Sequence, residues 1–337
     1  MQSRSEYSIE AAIKYFVLGA IASCFLLFGL FLIYSQYGTI QLNELSLLLV
    51  NGAMENIGST FGLVLLISAF LFKIGIAPFH VWLCDVYEGS VTSLTLLFAS
   101  IPKIALVFIL TKILLVSGCG WSNSPWSNLL WFTGLTSVFW GSFAAIYQKR
   151  IKRLLSYSSV SHLGLIVLAL SSTSCLAAQS SFTYILIYSL IVVISFNMLI
   201  LITKRDFYPK FILNWLNVSR SHMWFGLIFS VLLFVTAGIP PFVGFYLKLN
   251  ILLALLEKSH VFTVMFVVLA NCFSAFYYIR LIKIVFFAKS IENNQWLLPA
   301  SFSTSVSVIV LISTASCFLV EPQLIENLSA VIYLYLV

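Results

Sequence analysis

Three lysines lie inside long apolar stretches of this chain, each of them close to a proline. They are Lys73 before Pro78, Lys103 after Pro102, and Lys248 after Pro240 and Pro241. A lysine in the middle of a membrane costs about 2.5–3.5 kcal/mol even on the most lenient insertion scale. Packing does not require such a cost, so these lysines are the first candidates for chemistry.

The chemistry that this combination favours is proton transfer. Proline inside a helix removes a hydrogen bond, and the freed carbonyls need a side chain or water as partner. Burial disfavours the ammonium form of lysine, so a buried lysine can take up and release a proton when a nearby charge changes. The alternative is that the lysines reach out to the membrane surface, and it is stronger for Lys103 than for Lys73 or Lys248.

Two histidines are possible members of the same proton relay. His80 stands at the end of an apolar stretch, where a place at the membrane surface is an equal alternative. His162 follows three serines in a four-residue stretch, and a hydrogen bond between packed helices is the alternative to a relay role. Asp85 and Glu88 are interpreted as solvated charges of a loop.

Composition excludes a soluble fold. Of the 337 residues 61% are apolar and only 9% are charged, whereas a soluble domain carries about a quarter of charged residues. The apolar runs are long and do not alternate with polar residues, which favours helices over a membrane barrel. We therefore predict an all-α, polytopic membrane protein.

Other functional classes find little support in the sequence. The net charge of +7 comes from clusters between apolar runs, which argues against nucleic-acid binding. The six cysteines are scattered, without metal-ligand spacing, and are interpreted as apolar fillers of helix surfaces. We find no glycine-rich phosphate loop and no nucleophile–histidine–acid set. We expect neither a metal nor a redox cofactor on this chain.

Nine stretches are predicted to cross the membrane as helices. They lie at 14–34, 59–82, 91–116, 127–147, 153–172, 180–203, 223–256, 260–287 and 299–320. With this count, thirteen lysines and arginines fall in segments on the side of the N-terminus, and only Lys112 and Lys258 fall on the other. Positive charge accumulates on the cytoplasmic or matrix side, so that side holds the N-terminus.

Two interrupted helices suggest an inverted repeat. Gly75-Ile-Ala-Pro-Phe79 in the second helix resembles Gly238-Ile-Pro-Pro-Phe242 in the seventh. Because the offset is five helices, an odd number, the two copies cross the membrane in opposite directions. Such inverted repeats are typical of transporters with a site at the membrane midplane. We therefore expect Lys73 and Lys248 at related positions in two half-sites.

The repeat also divides the chain into predicted domains. Residues 1–116 would be the remainder of the first repeat, 127–287 the second repeat of five helices, and 288–337 a last helix and tail. Two helices of the first repeat have no counterpart in this sequence. We expect them ahead of its first residue.

Several long motifs resemble the antiporter-like subunits of respiratory complex I. They are Phe72-Lys-Ile-Gly-Ile-Ala-Pro-Phe-His-Val-Trp82 with Asp85-Val-Tyr-Glu-Gly89, Lys152-Arg-Leu-Leu-Ser-Tyr-Ser-Ser-Val-Ser-His-Leu-Gly164, and Ala237-Gly-Ile-Pro-Pro-Phe242 with Lys248. The opening Ser8–Ala20 segment, and lysine rather than glutamate at 248, favour the subunit 2 type. The resemblance covers nearly the whole chain.

The resemblance implies roles for the three lysines. Lys73 would belong to a glutamate–lysine pair, Lys103 would be a central relay and Lys248 the group on the exit side. Glu6 and Glu10 do not match the motif of the pair's glutamate, which lies on the helix before this sequence starts. Either a separate N-terminal chain supplies that glutamate, or Lys73 works without it.

The resemblance also implies a proton-translocating subunit of NADH:ubiquinone oxidoreductase. FMN, iron–sulfur clusters and ubiquinone would then be bound elsewhere in the complex, and the partners would be other membrane-arm subunits and lipids. The expected location is the mitochondrial inner membrane rather than a bacterial plasma membrane, since 30 phenylalanines fit an AT-rich organelle genome. The alternatives are a stand-alone cation/proton antiporter and a scaffold subunit that does not pump.

Overall fold

A computed structural model describes residues 6–45, 57–116, 125–172, 174–202, 211–212, 223–240, 242–287, 327 and 330–331. Within those ranges the regular elements are helices. In addition, Arg150 and Phe211 form one isolated antiparallel backbone bridge. The helices are α1 (Glu6–Tyr37), α2 (Ile57–Ile74), α3 (Val81–Gly89), α4 (Thr92–Ala99), α5 (Ile101–Val116), α6 (Pro125–Ile146), α7 (Ile151–Ser171), α8 (Cys175–Ile202), α9 (Met223–Ala237), α10 (Val243–Glu257) and α11 (Val261–Phe287).

The described helices account for eight of the nine predicted spans. In this part of the chain seven helical stretches are long and apolar enough to cross a membrane, counting α4 and α5 as one. The all-α, polytopic fold is thereby confirmed. The predicted span at 299–320 lies outside the described residues. The three-domain division stays a prediction.

The first predicted break is a glycine-terminated helix end. Gly75 has a φ of +86°, which glycine adopts without the steric cost that a Cβ atom would bring. Its N–H donates to the carbonyls of Leu71 and Phe72, and the N–H of Ile76 donates to Leu71. These bonds form a Schellman motif, which ends α2 and satisfies its last carbonyls. Pro78 follows with a cis peptide bond.

The second break repeats this geometry at Gly238. The φ angle is +77°, the N–H of Gly238 donates to Phe234 and Val235, and the N–H of Ile239 donates to Phe234. The same three backbone hydrogen bonds therefore end α2 and α9. Pro240 lies in the turn that follows, and Pro241 lies outside the described residues.

A milder interruption separates α4 from α5. It falls at Ser100, whose φ and ψ are −111° and −83°, so the kink precedes Pro102. That proline is the second residue of α5, where an N–H has no helical partner to lose. The interruption expected at Pro102 therefore lies just before it, at Ser100, and Pro102 stands in the first turn of the helix that follows.

Helix α7 lies at the centre of the described fold. It packs on α6, α8, α3 and α10, and nearly all its residues are buried. Small residues bring α6 and α7 close together, since a Cβ atom at Gly141 would lie 2.7 Å from the backbone nitrogen of Ser161. The long α1 packs on α2 and α3 and exposes much of its apolar surface.

Five charged residues on α1, α3 and the start of α7 form a charge cluster. Lys14 Nζ lies 2.6 Å from Asp85 Oδ2 and Arg153 Nη2 lies 3.0 Å from Asp85 Oδ1, while Arg150 and Arg153 both pair with Glu88. The prediction of solvated loop charges was wrong for both acids: they lie on α3, only 25% and 13% exposed. The chain re-enters a helix soon after the break, and this helix faces the cations of α1 and α7.

The charge cluster agrees with the predicted orientation. Its members come from three segments that the span count places on the side of the N-terminus. Arg280, from a fourth such segment, donates to the carbonyl of Ile146 at the end of α6. The ends of α1, α3, α6, α7 and α11 therefore meet on one side of the described fold.

Replacing Gly238 by alanine should destabilise the protein. The left-handed conformation costs an alanine about 1–2 kcal/mol. In addition, the new Cβ atom would lie 2.8 Å from Lys248 Cδ. We expect a lower thermal midpoint for Gly238→Ala in mild detergent. Gly19→Ala is the matched control, because a Cβ there has no neighbour within 4 Å. Equal midpoints for the two variants would contradict this account of the break.

Replacing Arg153 by glutamine should loosen α3 from α7. The change removes two ion pairs at partly exposed positions, so a loss of about 1 kcal/mol is expected, and it should shrink as salt screens the remaining charges. Chemical denaturation at low and high ionic strength measures both effects. Lys283→Gln, an exposed cation on α11, is the control. A salt-independent loss would point to altered packing instead of lost charge pairing.

Candidate functional site

A hydroxyl-rich segment of α7 runs through the interior of the fold. Ser156, Ser158, Ser159 and Ser161 are buried, and each donates its hydroxyl to the carbonyl three residues earlier. The donors are thus satisfied within the helix, while the oxygens can still accept hydrogen bonds from other groups. His162 continues this segment.

Lys103 reaches this segment from α5. Its side chain is 3% exposed, and Nζ lies 3.4 Å from Ser159 Oγ and 5.3 Å from the centre of the Tyr87 ring. A long hydrogen bond and a cation–π contact are modest compensation for a buried ammonium group. The side chain points into the protein, so the snorkelling alternative does not describe Lys103.

Lys248 reaches the same region from α10. It is 6% exposed, and Nζ donates to the carbonyl of Ala237 at 2.8 Å. Ala237 is the last residue of α9, so its carbonyl lacks the donor that a continuing helix would supply. The lysine stem passes beside Gly238, which has no side chain to block it. Lys248 is therefore held by the break itself and does not snorkel.

His162 lies between two tyrosines and is 5% exposed. Nδ1 lies 2.7 Å from the hydroxyl of Tyr184 on α8, and Nε2 lies 3.2 Å from the hydroxyl of Tyr278 on α11. Both ring nitrogens are therefore occupied. A neutral imidazole donates from one nitrogen and accepts at the other, so His162 links the two hydroxyls.

Three small cavities meet at His162. The largest, of about 30 Å³, is lined among others by Tyr87, Ser159, His162 and Tyr278. Two others of about 10 Å³ each are lined by both His162 and Lys248. A water molecule needs roughly 10–15 Å³ of such space and polar partners, so the largest cavity has room for water and the smaller two are at the limit. The cavities connect the surroundings of Lys103 with those of Lys248 through His162.

Lys73 and His80 do not line these three cavities. Lys73 is half-buried in the last turn of α2, where its charge is favourable at the helix C-terminus. His80 is buried, with its ring edge-on to Trp140 and Tyr157 at centroid distances of 6.3 and 6.0 Å. His162 and Lys248 therefore share two cavities, Lys103 approaches the largest cavity through Ser159 and Tyr87, and Lys73 and His80 stand apart from all three.

The two breaks share their backbone turn but not the spacing of their lysines. When Gly75 is matched to Gly238, Lys73 corresponds to Thr236 and Asp85 corresponds to Lys248. Lys73 precedes its glycine by two residues, and Lys248 follows its glycine by ten. The expectation of related half-sites stays a prediction.

The sequence reasoning missed the tyrosines of this site. Tyr87, Tyr184 and Tyr278 are buried at helix interfaces and contact Lys103 or His162. The apolar helices contain many other aromatic residues. The sequence alone therefore did not distinguish these three tyrosines from aromatic residues that only pack. A buried tyrosine needs a partner for its hydroxyl, and that was the one available hint.

The described residues contain no group of histidines, cysteines and acids that could hold a metal ion. Four of the cysteines are described, and they form no disulfide with one another: Cys24, Cys84, Cys175 and Cys272. Cys119 and Cys317 lie outside the described ranges. The lysine, hydroxyl and imidazole groups of this site are groups that can exchange protons.

Comparison with known sequences gives a family match over most of the chain. Residues 1–274 match the family described as NADH:quinone oxidoreductase/Mrp antiporter, TM. The chain is 35% identical over 331 residues to NADH-quinone oxidoreductase subunit N of Nitrosomonas europaea, covering 98% of this chain and 68% of that protein. The same-named protein of Thioalkalivibrio sulfidiphilus is 37% identical over 298 residues, and the chain spans 62% of its length.

Solved structures give the same fold. A chain of respiratory complex I from Thermus thermophilus matches with a TM-score of 0.82 at 29% identity, covering 97% of this chain and 70% of that one. A chain of the archaeal membrane-bound sulfane sulfur reductase matches with a TM-score of 0.87 at 26% identity, covering 98% and 66%. The all-helical, polytopic architecture thus agrees with that of respiratory membrane complexes.

Proposed function

This chain belongs to the NADH:quinone oxidoreductase/Mrp antiporter transmembrane family, and on that premise we propose that it is a proton-translocating subunit of the membrane arm of respiratory complex I. The observation that carries the proposal is the buried polar path from Lys103 through His162 to Lys248. The relatives that it matches are subunits of NADH-quinone oxidoreductase. The complex as a whole would be the enzyme, a proton-translocating NADH:ubiquinone reductase, and this chain would be one of its subunits.

Protons would move along this path by changes of charge at its two lysines. Two ammonium groups in a medium of low dielectric repel each other, so a proton arriving at Lys103 favours release from Lys248. Quinone reduction would take place elsewhere in the complex and reach the path as a change in electrostatic potential. We assign no cofactor to this chain, and FMN, iron–sulfur clusters and ubiquinone to other subunits.

Lys73 would act at the start of the path as half of a glutamate–lysine pair. Its position at the end of α2 leaves it beside the break but away from the three cavities. A buried lysine is costly without a counter-charge, so we propose that a glutamate from a preceding helix faces it. A separate N-terminal chain of the subunit 2 type is our preferred source of that helix. A short open reading frame with one glutamate in its last hydrophobic span would support this.

The subunit type and the compartment belong to the finer part of the proposal. The motifs that favour the subunit 2 type and the high phenylalanine content lead us to propose the mitochondrial inner membrane. The two relatives described above are bacterial subunit N proteins, and for a bacterial host the location would be the plasma membrane. Cell fractionation of the source organism decides between these compartments.

Replacing Lys248 or Lys103 by methionine should lower proton pumping without preventing assembly. Methionine fills a similar volume but cannot carry a proton, so the path is interrupted while the packing is kept. We expect about a hundredfold loss of the pumping rate, the lower end of what a positioned proton-transfer group contributes. The measurement is the proton-to-electron ratio and the pumping rate of the assembled complex in proteoliposomes.

Lys258→Met is the control for these variants, because Lys258 is an exposed cation at the end of α10. It should keep the ratio of the unmodified complex. Normal pumping in all three methionine variants would instead support a scaffold that does not pump.

A stand-alone cation/proton antiporter is the second candidate, since the family description includes the Mrp antiporters. It predicts sodium-dependent proton movement in vesicles that contain this chain but no quinone-reducing partner. Under the complex I proposal such vesicles show no sodium-dependent exchange, and the chain co-purifies with other membrane-arm subunits.

A further inference from the structure

The hydroxyl partners of the two nitrogens of His162 line different cavities. Tyr278, whose hydroxyl lies 3.2 Å from Nε2, lines the largest cavity together with Ser159. Tyr184, whose hydroxyl lies 2.7 Å from Nδ1, lines a smaller cavity together with Lys248. The imidazole and its two hydroxyls therefore stand between the Lys103 side and the Lys248 side.

We propose that Tyr278 and Tyr184 are the proton-transfer partners of His162, one on the side of Lys103 and one on the side of Lys248. This inference rests on the proposed function and adds two residues to its path. The tyrosine–histidine–tyrosine unit is a closed hydrogen-bonded segment between the largest cavity, which has room for water, and a smaller cavity at the limit of that size. It lets a proton pass while the chain itself separates the waters on its two sides.

The transfer step conserves protons and involves no electrons. Tyr278 gives its O–H proton to Nε2 of His162 and takes one from the water of the largest cavity. In the same step Nδ1 gives its proton to the hydroxyl oxygen of Tyr184, whose own proton passes to the water beside Lys248. One proton has crossed, both tyrosines are again neutral, and the imidazole has changed from its Nδ1–H to its Nε2–H tautomer.

The change of tautomer makes this unit a one-proton device. A second proton can follow only after the imidazole has returned to the Nδ1–H form, because a neutral ring donates from one nitrogen at a time. This return requires a flip of the ring, which breaks its hydrogen bonds to both hydroxyls, because moving the protons back along the same bonds would undo the transfer. His162 and both tyrosines are buried.

A packing role is the alternative for both tyrosines. Their hydroxyls could serve only to satisfy the ring nitrogens of a buried histidine. The two roles differ in what the loss of one hydroxyl does. A packing role predicts a rearranged ring with normal pumping, whereas the transfer role predicts that pumping falls with either hydroxyl.

The experiment compares Tyr278→Phe, Tyr184→Phe and the control Tyr277→Phe in the assembled complex. Tyr277 is fully buried next to Tyr278, with ring centroids 4.3 Å apart, but it does not line the three cavities. We expect the pumping rate to fall about a hundredfold in the first two variants, the lower end of the range for a proton-transfer group, and to stay normal in the control. Normal pumping in either of the first two variants overturns the inference.

A second readout reports on the histidine itself. Nitrogen-15 NMR of labelled histidine, with His162→Gln as the assignment reference, gives the tautomer of His162. The Tyr184 and Tyr278 variants should shift the tautomer in opposite directions, because each removes the partner of a different nitrogen. Unchanged spectra in both variants would overturn the inference. If a phenylalanine variant fails to assemble, fluorotyrosine at the same position changes the hydroxyl's acidity and keeps its shape, and an unaltered pumping rate then counts against the transfer role.

The lysine variants separate this inference from the proposed function. If Lys248→Met lowers pumping but the tyrosine variants do not, the tyrosine roles fail and the proposed function stands. If Lys248→Met also pumps normally, the proposed function fails first.

Discussion

The carbonyl of Ala237 has no helical donor, because the turn at Gly238 ends α9, and the ammonium group of Lys248 takes that place. The hydrogen bond satisfies both groups at once, because an unpaired carbonyl in hydrocarbon and an unpaired buried cation each cost free energy. The helix break is thus the condition under which a lysine can be kept inside the fold. The first break shares the same turn, but there the indole of Trp82 donates to the carbonyl of Phe72.

Around this interaction the fold concentrates its polar groups on one central helix. The serines of α7 satisfy their own donors within the helix and leave acceptors for Lys103 and its surroundings. His162 lines both the largest cavity and a smaller cavity that Lys248 also lines. The charge cluster at one end fixes α3 against α7. Small internal cavities suit the proposed transfer of protons without a flow of water.

Much of the fold could be predicted because membrane helices are recognisable in a sequence by their length and apolar composition. The positions of the breaks at Gly75 and Gly238 also followed from the sequence. The partners of the buried groups did not, because they depend on which helices meet. Tyr184 reaches His162 through the packing of α8 on α7, and Tyr278 reaches it from α11, which packs on α6, α9 and α10. Asp85 looked like a loop charge because a helix of nine residues, α3, is too short to give a clear pattern.

The central claim is that a hydrated polar path, interrupted only at His162, joins Lys103 to Lys248. A water-resolving electron cryomicroscopy map of the assembled complex tests it most directly. The account predicts ordered water in the largest cavity, within hydrogen-bonding distance of Ser159 and Tyr278, and further water beside Lys248. A cavity closed by side chains or filled by lipid, with Lys103 separated from His162 by apolar packing, would contradict it.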